Sequence, residues 1–129
     1  MKKLILPFLI VLVLLLSQCS SDTTSNLTNT IITEEMLASK KAEVIALVGN
    51  ASCTGSCNYI AFGSKPCGGP REYLLFSSAV NLNELEILVN EYNEMEHQFN
   101  IQTNAVSDCA LVLPPNQIGC INGNCVIIN

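Results

Sequence analysis

The cysteines constrain the fold of this chain more than any other feature. It contains seven, of which all but Cys19 lie between residues 53 and 125. An odd number in an exported protein needs an explanation, because disulfides use cysteines in pairs. If Cys19 serves another purpose, the even number that remains predicts about three disulfides. The six candidates are Cys53, Cys57, Cys67, Cys109, Cys120 and Cys125.

The first 18 residues have the pattern of a secretory signal peptide. Lys2 and Lys3 precede an almost uninterrupted aliphatic run from residue 4 to residue 16, which is the charged-then-apolar order of such signals. This run is about 13 residues long, whereas a membrane-spanning helix needs about 20. Pro7 also disfavours a long helix. We therefore predict that residues 1–18 direct export.

The stretch Leu16-Ser17-Gln18-Cys19 resembles the lipobox of bacterial lipoproteins. In that family the cysteine sulfur receives a diacylglycerol, the signal is cleaved before the cysteine, and the new N-terminus is acylated, for example with palmitate. The sequence departs from the usual pattern at Gln18, where a small residue is preferred. The resemblance implies that Cys19 is a lipidated N-terminus in the cell envelope, at the outer membrane of a Gram-negative bacterium. Secretion after cleavage by ordinary signal peptidase is the alternative.

Beyond the signal, the composition predicts a tether and one domain. Residues 19–30 are rich in Ser, Thr and Asn and cannot bury enough apolar surface to fold, so we predict a lipid-bearing flexible tether. Residues 31–129 suffice for a single disulfide-rich domain. Without Lys2 and Lys3, four basic residues remain beside 11 acidic ones. This acidic balance disfavours a nucleic-acid partner and leaves membrane attachment to the lipid anchor.

Hydrophobic periodicity predicts an α+β domain. A shorter N-terminal helix begins after Thr33 and ends near residue 49, and a long packing helix covers about residues 82–100. Short strands are predicted at residues 57–62, 72–77, 109–113 and 125–129. Asn122-Gly123 predicts a tight hairpin turn that places Cys120 opposite Cys125. Together these elements predict a small antiparallel sheet stapled by about three disulfides.

The order of disulfide pairing is open at this point, because six cysteines allow about 15 connectivities. A bond between Cys120 and Cys125 is the simplest local candidate. Disulfide stabilisation grows with the length of the closed loop, however. We therefore expect at least two long links, which join members of the group Cys53, Cys57 and Cys67 to the C-terminal cysteines.

The most distinctive internal stretch is FGSKPCGGPREY, residues 62–73. With the long helix and the downstream Ser-Asp-Cys, it resembles small uncharacterised exported cysteine-rich proteins of bacteria. Its glycines and prolines, pinned by a disulfide, predict a rigid loop that loses little entropy on binding. We therefore take Lys65, Gly68, Gly69 and Arg71 as the candidate binding residues. The alternative is a structural turn that only places Cys67.

Residues 109–120, CALVLPPNQIGC, contain a Pro-Pro pair between two cysteines. A braced loop of this kind distantly resembles the binding loops of serine-protease inhibitors, although its spacing matches no such family closely. The alternative is a strand that turns at Pro114 and returns.

The chain offers little for catalysis. His97 is the only histidine, and a nucleophilic thiol would break the even cysteine count. Glu94 and His97 have the Glu-x-x-His spacing of metal sites in helix bundles, but no second copy exists, so we expect a solvated helix face. Six cysteines in an oxidising compartment pair with one another more often than they bind metal.

These observations predict a lipid-anchored, non-enzymatic envelope protein that acts as a binding or inhibitory module for a protein partner, without cofactor or metal. Two alternatives remain. One is a structural envelope lipoprotein, and the other is an enzyme with an unrecognised site.

Overall fold

The computed structural model describes residues 31–49 and 52–128. The predicted signal peptide (1–18), Cys19 and the predicted tether (19–30) lie outside this part of the chain. The elements follow in the order α1 (Glu34–Gly49), β1 (Cys57–Phe62), β2 (Glu72–Ser77), α2 (Leu82–Gln102), β3 (Ile118–Ile121) and β4 (Asn124–Ile127). The α+β class, the long helix and three disulfides are confirmed, and the strands pair as two separate two-stranded antiparallel sheets.

Both helices begin at polar caps that the sequence provides. The Oγ1 of Thr33 accepts a hydrogen bond from the amide of Met36 at 3.3 Å, and Asn81 Oδ1 accepts one from the amide of Glu84 at 3.4 Å. Each cap satisfies an amide that has no partner within the helix. The two helices pack against each other, and Lys40 of α1 binds Glu91 of α2 across their junction at 3.0 Å.

The core lies between the helices and one face of the β1–β2 sheet. Phe76 is opposite Asn58 in the antiparallel ladder, and Asn58 lies four residues from Phe62 on β1. Because side chains alternate between faces along a strand, Phe62 and Phe76 lie on the same face of the sheet. Phe62 stacks on Tyr92 of α2 with ring centroids 4.4 Å apart. The buried apolar residues are Leu37, Val44, Phe62, Phe76, Val80, Leu85, Val89 and Tyr92.

The β3–β4 hairpin has the register that Asn122-Gly123 predicts, with Cys120 opposite Cys125. Both turn residues have positive φ, 51° at Asn122 and 80° at Gly123, as a type I′ turn requires. The two facing cysteines are nevertheless not bonded to each other, so the local candidate Cys120–Cys125 is wrong.

All three disulfides are long links, which confirms the expectation of at least two. Their members are 67, 68 and 42 residues apart. Cysteines near β1 bond to the hairpin, and the β1–β2 loop bonds to the segment after α2. The pairs are Cys53–Cys120, Cys57–Cys125 and Cys67–Cys109.

The strand predicted at residues 109–113 is not formed. The chain from residue 105 to residue 116 contains neither helix nor strand. Cys109 has a φ of 55°, which takes it out of the β region, and Pro114 and Pro115 lack the amide that a ladder needs. Within the described residues, the helices are too short or too polar to cross a bilayer.

Candidate functional site

The GSKPCGGP loop, residues 63–70, connects β1 to β2 and is fixed by its own backbone. The amide of Lys65 donates to Gly69 O at 3.0 Å, and the amide of Gly68 donates to Lys65 O at 2.9 Å. Gly63, Gly68 and Gly69 have φ values of 82°, 90° and 80°. Residues other than glycine rarely adopt φ values in this range. The three glycines therefore allow the loop to close on itself.

A buried carboxylate anchors the base of the loop to α2. Glu96 is only 7% exposed. Its Oε1 accepts from Arg71 Nε at 2.6 Å, and its Oε2 accepts from the amide of Ser64 at 2.5 Å. Asn100, one turn further along the helix, donates from Nδ2 to Ser64 O at 2.8 Å. A charged partner and a backbone amide together satisfy the carboxylate, as burial demands.

Sequence reasoning missed Glu96, although a signal was present. The buried face of α2 runs through Leu85, Val89 and Tyr92 at spacings of four and three residues. Continuing that helical spacing gives Glu96 and Asn100. A charged residue on the apolar stripe of a helix points to a buried partner elsewhere in the chain, because an unpaired buried charge is costly.

Lys65 connects the loop to the segment that follows α2. Its side chain is only 12% exposed, and its Nζ donates to Ala110 O at 2.6 Å and to Asp108 Oδ1 at 3.4 Å. Asp108 also accepts from the amide of Ala110 at 3.1 Å. That backbone hydrogen bond, followed by the charge of Lys65, lowers the pKa of Asp108 below its ordinary value. Lys65 is therefore a brace within the domain.

The segment that follows α2, which Lys65 contacts, presents apolar side chains to solvent. Val106 is 93% exposed, Leu111 82% and Leu113 71%, although the Cys67–Cys109 disulfide fixes the chain between them. Isolated exposed apolar residues are ordinary, but several together on one short segment are typical of a contact surface. We call residues 109–113, which include Leu111 and Leu113 but not Val106, the apolar segment.

A cleft of about 240 Å³ lies between the GSKPCGGP loop and the apolar segment. Among the residues that line it, the only side chain that ionises is Lys65, whose Nζ is already bonded. Apart from that ammonium group, the walls are glycine, proline, aliphatic and disulfide surface. The lining consists of Lys65, Cys67, Gly68, Gly69, Pro70, Cys109, Ala110, Leu111 and Val112. Such a cleft suits an apolar side chain better than a charged one.

The structure separates the four candidate binding residues into two groups. Gly68 and Gly69 are exposed and line the cleft, as does part of Lys65. Arg71 does not line it, and its guanidinium instead binds Glu96 and approaches Asn100. The contact of this loop with a partner stays a prediction. Lys65 and Arg71 are already bound within the domain, so neither is a freely solvated cation that could carry such a contact.

Comparison of the chain with models of protein families, with curated proteins and with solved structures found no match.

Proposed function

We propose that this protein is a lipid-anchored, non-enzymatic binding module of the bacterial cell envelope, and that the cleft beside the GSKPCGGP loop receives an apolar side chain of a protein partner. The observation that carries this proposal is the exposure of Leu111 and Leu113 on a segment that a disulfide and Lys65 hold in place. A segment fixed before contact loses less entropy on binding, so more of its contact energy appears as affinity.

The chemistry of the cleft favours binding over catalysis. The side chain of Lys65 is occupied by Ala110 and Asp108, and the cleft's cysteines are bonded to each other. A cleft of this kind has no free acid, base or nucleophile to offer a substrate. An apolar anchor in a desolvated pocket is, by contrast, the usual centre of a protein–protein contact.

The anchor in this proposal is Cys19. It is supported by the lipobox resemblance of residues 16–19 and by the pairing of the other six cysteines in three disulfides. Disulfides persist in oxidising compartments such as the bacterial periplasm and the cell surface. A protein held there by its lipid would present the cleft to other envelope or extracellular proteins.

Site-specific crosslinking tests the binding proposal. A photoreactive amino acid replaces Leu111 in the full chain, and the matched control carries it at Ile87 of α2, which is 59% exposed and does not line the cleft. We expect a discrete crosslinked species in intact cells from position 111 only. Leu111→Asp should reduce capture of that species, with an effect on stability below about 0.5 kcal/mol. Equal crosslinking from both positions would remove the case for this cleft.

Metabolic labelling with a fatty-acid probe tests the anchor separately. We expect the natural chain to incorporate the label and to sediment with membranes, while Cys19→Ala loses both properties. A Cys19→Ala chain that still incorporates the label would show that Cys19 is not the lipidated residue.

A further inference from the structure

The chain between residues 111 and 116, which we call the anchored segment, begins at a fixed point. The disulfide of Cys109 holds the backbone shortly before it. The carbonyl of Ala110 accepts a hydrogen bond from Lys65 Nζ at 2.6 Å. A covalent bond and a hydrogen bond therefore fix the chain immediately before Leu111.

The far end of the anchored segment is fixed by the β3–β4 hairpin. The carbonyl of Gln117 accepts a hydrogen bond from the amide of Ile128 at 3.0 Å, and β3 begins at the next residue. Pro114 and Pro115 precede this contact, and their rings hold φ at about −65°. Because the segment is held on both sides, a break within it would leave both new ends attached to the folded domain.

Between these two ends the side chains alternate in exposure. Leu111 is 82% exposed and Leu113 is 71% exposed, whereas Val112 between them is partly buried. Such alternation is the pattern of an extended chain. Among the described residues, none forms a hydrogen bond with the backbone of these three. The segment therefore offers an extended backbone that can pair with a strand edge of another protein, while alternate side chains enter its pockets.

We propose that the anchored segment binds in the active-site cleft of a serine endopeptidase, that Leu111 fills an apolar specificity pocket there, and that the domain thereby inhibits the enzyme. Exposed loops are where endopeptidases cut folded proteins. Serine endopeptidases choose the cut by one side chain, which enters a pocket beside the catalytic serine. This inference rests on the proposed binding function and names the class of its partner.

Two observations assign the pocket to Leu111 rather than to Leu113. Leu111 is the more exposed of the two, and it directly follows the carbonyl that Lys65 holds. Leu113 is followed by Pro114, whose ring crowds the residue before it and so hinders attack on the bond that joins them. The bond presented to the enzyme's serine is therefore the one between Leu111 and Val112.

The two fixed ends make the chain an inhibitor rather than a substrate. The serine Oγ attacks the carbonyl carbon of Leu111, the C–N bond to Val112 breaks, and the catalytic histidine passes the serine's proton to the departing amine. Hydrolysis requires that amine to leave before water attacks the acyl-enzyme. Here the amine stays beside the acyl carbon, and well-oriented groups in one molecule reach effective concentrations of about 10⁵–10⁸ M. The amine therefore returns and re-forms the peptide bond.

The same rigidity favours tight binding. A segment that is already extended loses little entropy when the enzyme receives it, and protease–inhibitor complexes of ordinary interface size are among the tightest known. The cleft beside the GSKPCGGP loop adjoins Leu111 and Val112, so an apolar side chain from the rim of the enzyme's active site can enter it.

Enzyme inhibition tests the proposal. The full chain in detergent is mixed with chymotrypsin, which has an apolar pocket, or with trypsin, whose pocket holds an aspartate. We expect inhibition of chymotrypsin only. Leu111→Lys should weaken that inhibition by more than about 30-fold, as loss of a central anchor does, and should create inhibition of trypsin. The matched control, Leu113→Lys, should create none.

Opening the disulfide separates an inhibitor from a substrate. In the Cys67→Ser and Cys109→Ser double variant, one end of the anchored segment is released. Chymotrypsin should then cut between Leu111 and Val112 at least about 10-fold faster than in the natural chain, a factor smaller than the full constraint of a disulfide. Mass spectrometry of the reaction locates the cut.

Rapid cutting of the natural chain at this bond would overturn the proposal. So would a natural chain that inhibits none of chymotrypsin, elastase and subtilisin. If either result is obtained while position 111 still gives its discrete crosslinked species in cells, the binding function stands and the partner is not an endopeptidase of this class. If the crosslinked species is absent as well, the binding function fails with it.

Discussion

The Nε of Arg71 lies 2.6 Å from Oε1 of Glu96, which joins the end of the GSKPCGGP loop to the buried face of α2. Glu96 is the most buried carboxylate among the described residues, and the partly exposed Arg71 directly precedes β2. The same carboxylate holds the amide of Ser64. One side chain of α2 therefore fixes both ends of the loop.

We expect Glu96→Ala to lower the free energy of unfolding by about 1–3 kcal/mol, because it leaves the Ser64 amide and the Arg71 guanidinium without their acceptor. Glu96→Gln should cost less, since the amide oxygen still accepts one hydrogen bond. Chemical denaturation measures both changes. Glu86→Ala, an exposed position of the same helix, is the control and should stay within about 0.5 kcal/mol of the natural chain.

A double-mutant cycle isolates the pair itself. If Arg71 acts through Glu96, the combined Arg71→Ala and Glu96→Ala change should destabilise by less than the sum of the two single changes. Strict additivity would mean that the two side chains contribute independently.

The loop glycines offer a matched comparison of backbone strain and space. Gly63 and Gly69 have nearly equal φ values of 82° and 80°, but a Cβ at Gly63 would lie 3.0 Å from Arg71 Cβ and from Glu96 Oε2, whereas one at Gly69 meets nothing within 4 Å. Gly69→Ala should therefore cost only the left-handed conformation, about 1–2 kcal/mol.

Gly63→Ala should cost clearly more than Gly69→Ala, because it adds displacement of the Arg71–Glu96 pair to the same backbone strain. Thermal unfolding of the two variants side by side gives the comparison. Equal melting temperatures would show that the loop can shift away from α2 without loss.

The local elements were predictable because their signals are local. The strands at residues 57–62 and 72–77 coincide with β1 and β2, since β-branched and aromatic residues there are bounded by Gly, Pro and Ser. The hairpin register followed from Asn122-Gly123 alone. The long helix extends two residues beyond its predicted end, a difference that frayed helix ends commonly show.

The contacts between elements were not predictable from local patterns. Cys120 and Cys125 are opposite in register but bond elsewhere, because tertiary packing places the hairpin against the start of β1. The residues of the apolar segment have strand-like composition, but no strand within residues 31–49 and 52–128 pairs with them. The sequence predicts that Lys65 is a surface cation. Only the fold shows that its Nζ donates a hydrogen bond to Ala110 O.

Acid should loosen the apolar segment. The pKa of Asp108 is lowered by the Ala110 amide and by Lys65, so the carboxylate stabilises the folded chain above its unfolded pKa of about 3.9. That contribution is lost as pH falls through the lower folded value. We expect the Ala110 amide signal in NMR to shift in this acid range. In Asp108→Asn the same shift should be absent, and a shift that persists would assign the titration to another group.

Loss of the Cys67–Cys109 disulfide should loosen the cleft without dissolving the core. The bond joins residues 42 apart, and disulfides typically contribute about 2–4 kcal/mol, with more for longer loops. Replacing both cysteines by serine should lower stability within that range and speed amide exchange at residues 109–113. The Lys65–Ala110 hydrogen bond remains as a partial brace, so adding Lys65→Met should speed exchange there further.

The matched control is the Cys57→Ser and Cys125→Ser pair, which opens a loop of 68 residues on the hairpin instead. We expect it to destabilise the domain at least as much, yet to leave exchange at residues 109–113 slow as long as the domain stays folded. Hydrogen exchange read by mass spectrometry distinguishes the two variants. If both speed exchange in the apolar segment equally, the Cys67–Cys109 bond is not what holds the cleft, and the rigidity on which the proposed binding depends comes from elsewhere in the domain.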